Sequence, residues 1–200
     1  MVCGRLLLQL LSSYLKKSHN SKFHYIYGDE MGNLKKRRFT GRTATAIILK
    51  SPNKILLVKR LTVPFLGYLA LPGGRLDLGE TVEATIIREV QEETGLKVII
   101  ERKIGEYREI GVQDEIEYDY SPACFLVKII GGKLKRQENE IGALKFFSLA
   151  NIPKVIAFEH NTMVRDYVNS LKKTMLINKT LKKILIKIAP KKANNINVSR

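Results

Sequence analysis

Three glutamates crowded onto one helix constrain this chain more than any other feature of its sequence. Val82, Ile86, Ile87 and Val90 recur at helical spacing across Thr81–Thr94, and Gly95 supplies the residue that can turn left-handed and end such a helix. At about 100° per residue, Glu89, Glu92 and Glu93 fall within an arc of roughly 100°. Like charges three or four residues apart each cost a few tenths of a kcal/mol, and no lysine stands at Thr85, Gln91 or the other interleaved positions to offset them. A cation is expected there. Hard carboxylate oxygens with no thiolate in reach suit Mg²⁺ or Mn²⁺, which keeps several waters and coordinates phosphate, so a phosphoanhydride is a natural substrate.

Around this helix the pattern predicts strands. Thr43–Leu49 and Lys54–Lys59 are apolar runs joined by Ser51-Pro52-Asn53, a turn signal, and form an expected hairpin. Leu69–Leu71 and the pair Gly73-Gly74 come next, without an assigned element; Lys97–Ile104, Ala123–Ile130 and Leu144–Leu149 are further expected strands, with Gly131-Gly132 as a turn, and a last helix is expected over Glu159–Leu171. No fold signal precedes Arg42. Neither a repeated βαβ unit nor a dinucleotide-type glycine fingerprint occurs, so the expected architecture is α/β, a mixed sheet between helices.

The net charge of +16 is uneven. Residues 1–40 hold eight Lys and Arg against two acidic residues, residues 171–200 hold nine against none, and residues 41–170 carry only the remaining +1. A basic extension (1–40), a catalytic-type domain (41–170) and a basic tail (171–200) are the expected organisation, and Met31, directly before GNLKKRRFTGR, is an alternative start. In the tail, Ile177, Leu181, Ile184, Leu185 and Ile188 among lysines form an amphipathic pattern that Pro190 would stop. Such a segment lies on the domain, on anionic lipid or on RNA. Cys3 and Cys124 are too few for a disulfide framework and no zinc spacing exists, which fits a reducing, cytoplasmic setting. Leu6–Leu11 is too short to span a bilayer and has no clear cleavage site after it, so neither a transmembrane segment nor export is expected.

Gly74, five residues, Glu80, seven residues, then Arg88-Glu89-Val90-Gln91-Glu92-Glu93-Thr94-Gly95-Leu96 resembles the Nudix box at every fixed position. The resemblance to the Nudix hydrolases extends over about residues 41–170 and leaves both tails uncovered. It implies an α/β/α sandwich with the box as a loop–helix–loop, and pyrophosphohydrolase chemistry by metal-activated water. Carried over by position, it makes Glu89, Glu92 and Glu93 metal ligands with the Gly73 carbonyl beside them, and makes Arg88, Glu80 and Gly74 their supports. An arginine beside three carboxylates can orient them and keep them ionised. Glu140, ahead of Phe146-Phe147, is the expected extra ligand or base, with Glu138, Asp114, Glu115 and Glu117 as competitors.

Arg60 and Arg75 are candidates for pairing with substrate phosphate, and Phe65, Tyr68, Tyr118 and Tyr120 for stacking on a base. The run PFLGYLALPGG and Glu159-His160-Asn161 resemble members that hydrolyse ADP-ribose, which favours ADP-ribose or a related or oxidised nucleotide. Leu69 replaces a Trp common before LPGG, and Gly111-Val112 stands where a proline is usual in classical ADP-ribose enzymes, which bears on substrate. The alternatives are an RNA 5′-end pyrophosphohydrolase using its basic tails and a non-enzymatic nucleotide-sensing regulator, the latter disfavoured because the tail is too short for a helix-turn-helix domain. A homodimer is compatible with the resemblance.

Overall fold

The computed structural model describes residues 37–188, with side chains from 37 to 182. The readings that concern residues 1–36, including Met31, and Pro190 lie outside the described residues. In chain order the elements are β1 (Arg37–Ser51), β2 (Lys54–Arg60), β3 (Leu69–Ala70), β4 (Gly73–Arg75), α1 (Val82–Thr94), β5 (Leu96–Glu106), β6 (Glu109–Gln113), β7 (Ile116–Gly132), β8 (Ile141–Ser148), a 3₁₀ turn (Leu149–Asn151) and α2 (His160–Ile188). The described strands form one sheet whose spine runs β3-β2-β1-β7-β5, with β4 against β1, β6 against β7 and β8 against β2.

Both faces of this sheet are covered, and the central strands sort their side chains accordingly. Ala44, Ala46, Ile48, Leu56, Phe125 and Val127 pack with Val82, Ile86 and Val90 of α1. Their neighbours in sequence, Ile47, Ile55, Leu57, Cys124 and Leu126, pack with Met163, Val164 and Tyr167 of α2. Strands buried on both faces read as continuous apolar runs, which is why AIIL and ILLV carry no alternation. The result is the α/β/α sandwich. Burial of side chains such as Ile47, Leu56, Ile86 and Val90, each 0% exposed, contributes roughly 1.5–3 kcal/mol apiece. Cys124 is in this core as a free thiol, pushed up to about 12 by burial, and is chemically quiet.

Several boundaries differ from the sequence reading. The first strand begins at Arg37, six residues earlier than its apolar run, because residues 37–42 are mostly exposed and carry no apolar signal; further along, Thr43, Ala44 and Thr45 face Arg75, Gly74 and Gly73 of β4, a strand that was not expected. Gly131-Gly132 is no turn; it ends β7, paired with Lys97 and Leu96. The β6–β7 hairpin was unforeseen because its turn residues, Asp114 and Glu115, hold the left-handed conformation (φ 53° and 60°) without glycine. The last helix and the amphipathic tail are one continuous helix, since no breaker separates Leu171 from Ile188.

Candidate active site

Helix α1 starts where Thr81 accepts the Ala84 N–H on its side chain and ends at Gly95, φ 73°, whose N–H donates to the Gln91 carbonyl. Its apolar stripe fixes its rotation on the sheet, and that rotation decides the fate of each glutamate. Glu89 and Glu93 turn under the helix and are 5% exposed, whereas Glu92 stays exposed on the outer side. The approach is possible only because β4 is built from glycine at this point. A Cβ on Gly74 would lie 2.4 Å from the Glu89 carboxyl carbon, and one on Gly73 (φ 152°) would lie 2.2 Å from the Ala44 carbonyl oxygen.

Arg88 ties the acidic groups together. Its Nε and Nη2 donate to the two Glu80 oxygens at 2.9 and 2.7 Å, and its Nη1 donates to Glu89 at 2.8 Å and to Glu92 at 3.2 Å. Nη2 also reaches the Arg75 carbonyl at 3.2 Å, which locks the guanidinium to β4. The bond from Arg88 holds the Glu80 carboxyl down at about 2 despite its partial burial, with help from Thr85, which donates its hydroxyl at 2.8 Å. Glu80 itself accepts the Asp77 N–H, so the loop entering the helix is fastened to the same arginine.

Glu93 has a different environment. It accepts the Gly73 N–H at 3.0 Å. Burial pushes its carboxyl up to about 8, the Glu89 charge adds to the rise, and Gly73 and Arg60 oppose it. Glu89 and Glu93 are both buried and their charges act on each other, and an all-oxygen donor set of this kind is one that Mg²⁺ or Mn²⁺ accepts. Gly74, with no Cβ, is what lets Glu89 occupy this position. Among the described residues no three acidic, histidine or cysteine side chains stand close enough together to enclose an ion. Arg88 holds Glu89 and Glu92, while Glu93 is held by Gly73, so joint ligation by all three requires side-chain rotation.

Arg60, at the end of β2, is held by the Pro64 carbonyl at 3.0 Å and by Thr62, and lies 5.1 Å above the Phe158 ring. Burial pulls its guanidinium below its ordinary value, while the charges of Glu93, Glu140 and Glu109 and the phenol of Tyr120 push back. It thus packs against an aromatic ring while its charge interacts with the acidic groups. Phe65 and Phe158 are 4.5 Å apart between ring centroids, and Tyr68, Tyr118 and Tyr120 complete the cluster. Arg75 and Arg60 both oppose the rise that burial gives the Tyr120 phenol. Glu140, in the turn before β8, is exposed, but its charge reaches both Glu93 and Arg60. Asp114, by contrast, accepts the Leu66 N–H at 2.9 Å and serves to fasten the 61–68 loop.

Glu109, Phe158 and His160 were not singled out individually in sequence. Glu109 is 3% exposed, and burial pushes it up to about 8. His160 accepts the Leu71 N–H on Nδ1 at 2.9 Å, and burial pulls it down to about 3. A neutral imidazole with Nδ1 accepting carries its proton on Nε2, 3.8 Å from Glu109, so this contact is not an ion pair. Phe158 takes φ 55°. The one available signal was the polar Glu159-His160 directly after an aromatic at a helix start.

The family model for the NUDIX domain matches residues 40–167. The chain is 41% identical over 138 residues to the ADP-ribose pyrophosphatase of Methanocaldococcus jannaschii, which spans 68% of this chain and 79% of that protein. It is 35% identical over 126 residues to a putative 8-oxo-dGTP diphosphatase of Bacillus subtilis, covering 63% of this chain and 78% of that one. In fold it is similar to the MutT protein of Methanosarcina mazei Go1, with TM-score 0.56 and 20% identity over 69% of this chain and 99% of that one. The MutT NUDIX hydrolase of Burkholderia pseudomallei gives TM-score 0.53 and 24% identity over 64% and 97%.

Proposed function

This chain belongs to the Nudix hydrolase family and is a pyrophosphatase of that family, and we propose that it cleaves the phosphoanhydride of a nucleoside diphosphate derivative, ADP-ribose first, with Mg²⁺ or Mn²⁺ as cofactor. The observation that carries the reading is Arg60, which lies 5.1 Å over the Phe158 ring of the aromatic cluster while its charge acts on Glu93, the buried neighbour of Glu89. A ligand with an anhydride at one end and a base at the other matches that sequence of environments. The name of the Methanocaldococcus relative supports the choice of ADP-ribose, and that of the Bacillus relative keeps oxidised nucleotides in the panel.

In this reading Glu89 and Glu93 hold the metal, with Glu92 and the Gly73 carbonyl contributing. When bound, the metal lowers the pKa of a water and neutralises charge on the phosphate oxygens. Arg88 aims Glu89 and Glu92, and Glu80 holds Arg88 in turn, an arrangement supported by the bidentate contact between Glu80 and Arg88. Arg60 and Arg75 bind the phosphates, and the fixed guanidinium of Arg60 loses little freedom in doing so. Glu140 takes the proton of the attacking water; its charge already bears on Glu93 and Arg60. The rings of Phe65, Tyr118, Tyr120 and Phe158 exclude water around the base.

The test is metal-dependent turnover on a panel of ADP-ribose, oxidised and normal nucleoside triphosphates, dinucleoside polyphosphates, NADH and 5′-triphosphorylated RNA, with products identified. ADP-ribose cleaved to AMP and ribose 5-phosphate well above the rest is the expected result. Cleavage of RNA alone overturns the substrate class, and nucleotide binding without any turnover overturns the mechanism.

A further inference from the structure

Helix α2 outlasts the domain it packs on. His160, Met163, Val164 and Tyr167 are buried, Val168 and Leu171 are partly covered, and every residue from Lys172 to Lys182 is exposed while the helix continues to Ile188. At about 1.5 Å per residue the overhang is roughly 25 Å long. Met175, Leu176, Ile177 and Leu181 on it are 68%, 66%, 49% and 50% exposed, an apolar surface that the domain does not cover.

Of these four, Ile177 and Leu181 form a stripe, while Met175 and Leu176 lie among the lysines on the rest of the circumference. Ile177 and Leu181 share a face, and in sequence Ile184, Leu185 and Ile188 continue it within an arc of about 100° at helical spacing. Lys172, Lys173, Lys179, Lys182, Lys183 and Lys187 fall on the remaining circumference, and no acidic residue occurs from 171 to 200. We propose that this overhang is an interfacial helix that seats the protein on a membrane surface containing anionic lipid. The apolar stripe enters the boundary between headgroups and acyl chains, while lysines on both sides reach up to the phosphates.

The chemistry of the stripe selects this partner over the others. RNA would be met by the lysines, but it offers no hydrocarbon to cover isoleucine and leucine, and residues 171–188 contain neither the aromatics nor the arginines that stack on bases. A second copy of the helix would bring six lysines against six with no carboxylate to separate them. An anionic bilayer supplies both the apolar phase and the negative charge. No helix among the described residues is long and apolar enough to cross a membrane, so the helix lies on the surface.

The experiment is co-sedimentation of the full chain with vesicles of equal parts phosphatidylglycerol and phosphatidylcholine, against pure phosphatidylcholine. The anionic vesicles are expected to bind at least about tenfold more tightly. Leu181→Glu should weaken that binding about tenfold or more, whereas Thr180→Glu, the same charge change on the lysine face, should weaken it about threefold or less. Both variants should keep the thermal midpoint and the turnover of a soluble nucleotide. Equal losses in the two variants overturn the proposal, because they are what a simple charge contact such as RNA binding gives. Equal binding to neutral vesicles overturns it too, as does a Leu181→Glu variant that splits a dimer while vesicle binding is unchanged.

Discussion

Gly74→Ala separates the chemistry of the site from the stability of the fold. The alanine Cβ would lie 2.4 Å from the Glu89 carboxyl carbon and from one of its oxygens, where ordinary contact begins at 3.4 Å, so the carboxylate must retreat by about 1 Å. The three atoms nearest the new methyl all belong to the Glu89 carboxylate, and the Gly74 φ is outside the left-handed range that alanine avoids. The displaced group is the end of a side chain, yet a constrained one: 5% exposed and bonded to Arg88 at 2.8 Å. Crowding of this kind costs roughly 1–3 kcal/mol of stability. A misplacement of about 1 Å at a group that positions the reacting centre costs on the order of a hundredfold in rate. Turnover of ADP-ribose at saturating Mg²⁺, measured beside a thermal melt, should therefore fall about a hundredfold in kcat while the protein stays folded. Wild-type turnover would refute the role given to Glu89. Gly73→Ala is the contrast, since its Cβ meets the Ala44 carbonyl at 2.2 Å with φ at 152°, and its main effect should be on folding.

Three further outcomes are expected. Glu93→Gln should keep the fold and lower kcat by orders of magnitude, because one anionic ligand is lost; unchanged turnover at saturating metal sinks that assignment. Glu109 is held at about 8 by burial, above its unfolded value of 4.5, so the folded state binds more protons between those values and its contribution to stability declines as pH rises through that window. Glu109→Gln should flatten the loss, and melts at pH 5 and 8 that keep the wild-type difference refute it. Arg60→Met should raise KM for ADP-ribose more than it lowers kcat, as expected for a group that binds the phosphates throughout; a change confined to kcat would place Arg60 in the transition state alone.

The elements that carry their signals locally were legible in the chain. Helix α1 follows from an apolar stripe and one left-handed glycine, and the glutamate arc follows from the helical period, so both can be read without a partner in view. The hairpin of β1 and β2 is equally local. The β6–β7 hairpin was not, because Asp114 and Glu115 turn it in a conformation their sequence does not advertise. Nor was the merging of the last helix with the tail, whose junction has no capping residue to mark an end or to show where the covering sheet stops.

By itself, the sequence determined that three carboxylates and an arginine share one helix and that glycines precede it. Only the tertiary structure decided which of them are buried. Glu89 and Glu93 lie under the helix and Glu92 outside it because β4, paired through long-range register to β1, presents Gly73 and Gly74 at the point of contact. Arg60 from β2, Glu109 from β6 and His160 from α2 come together through the fold alone, and the Leu71–His160 bond closes a separation of 89 residues. Local periodicity records what a residue does to its own element; which distant backbone will face it depends on strand register and on packing against the whole sheet.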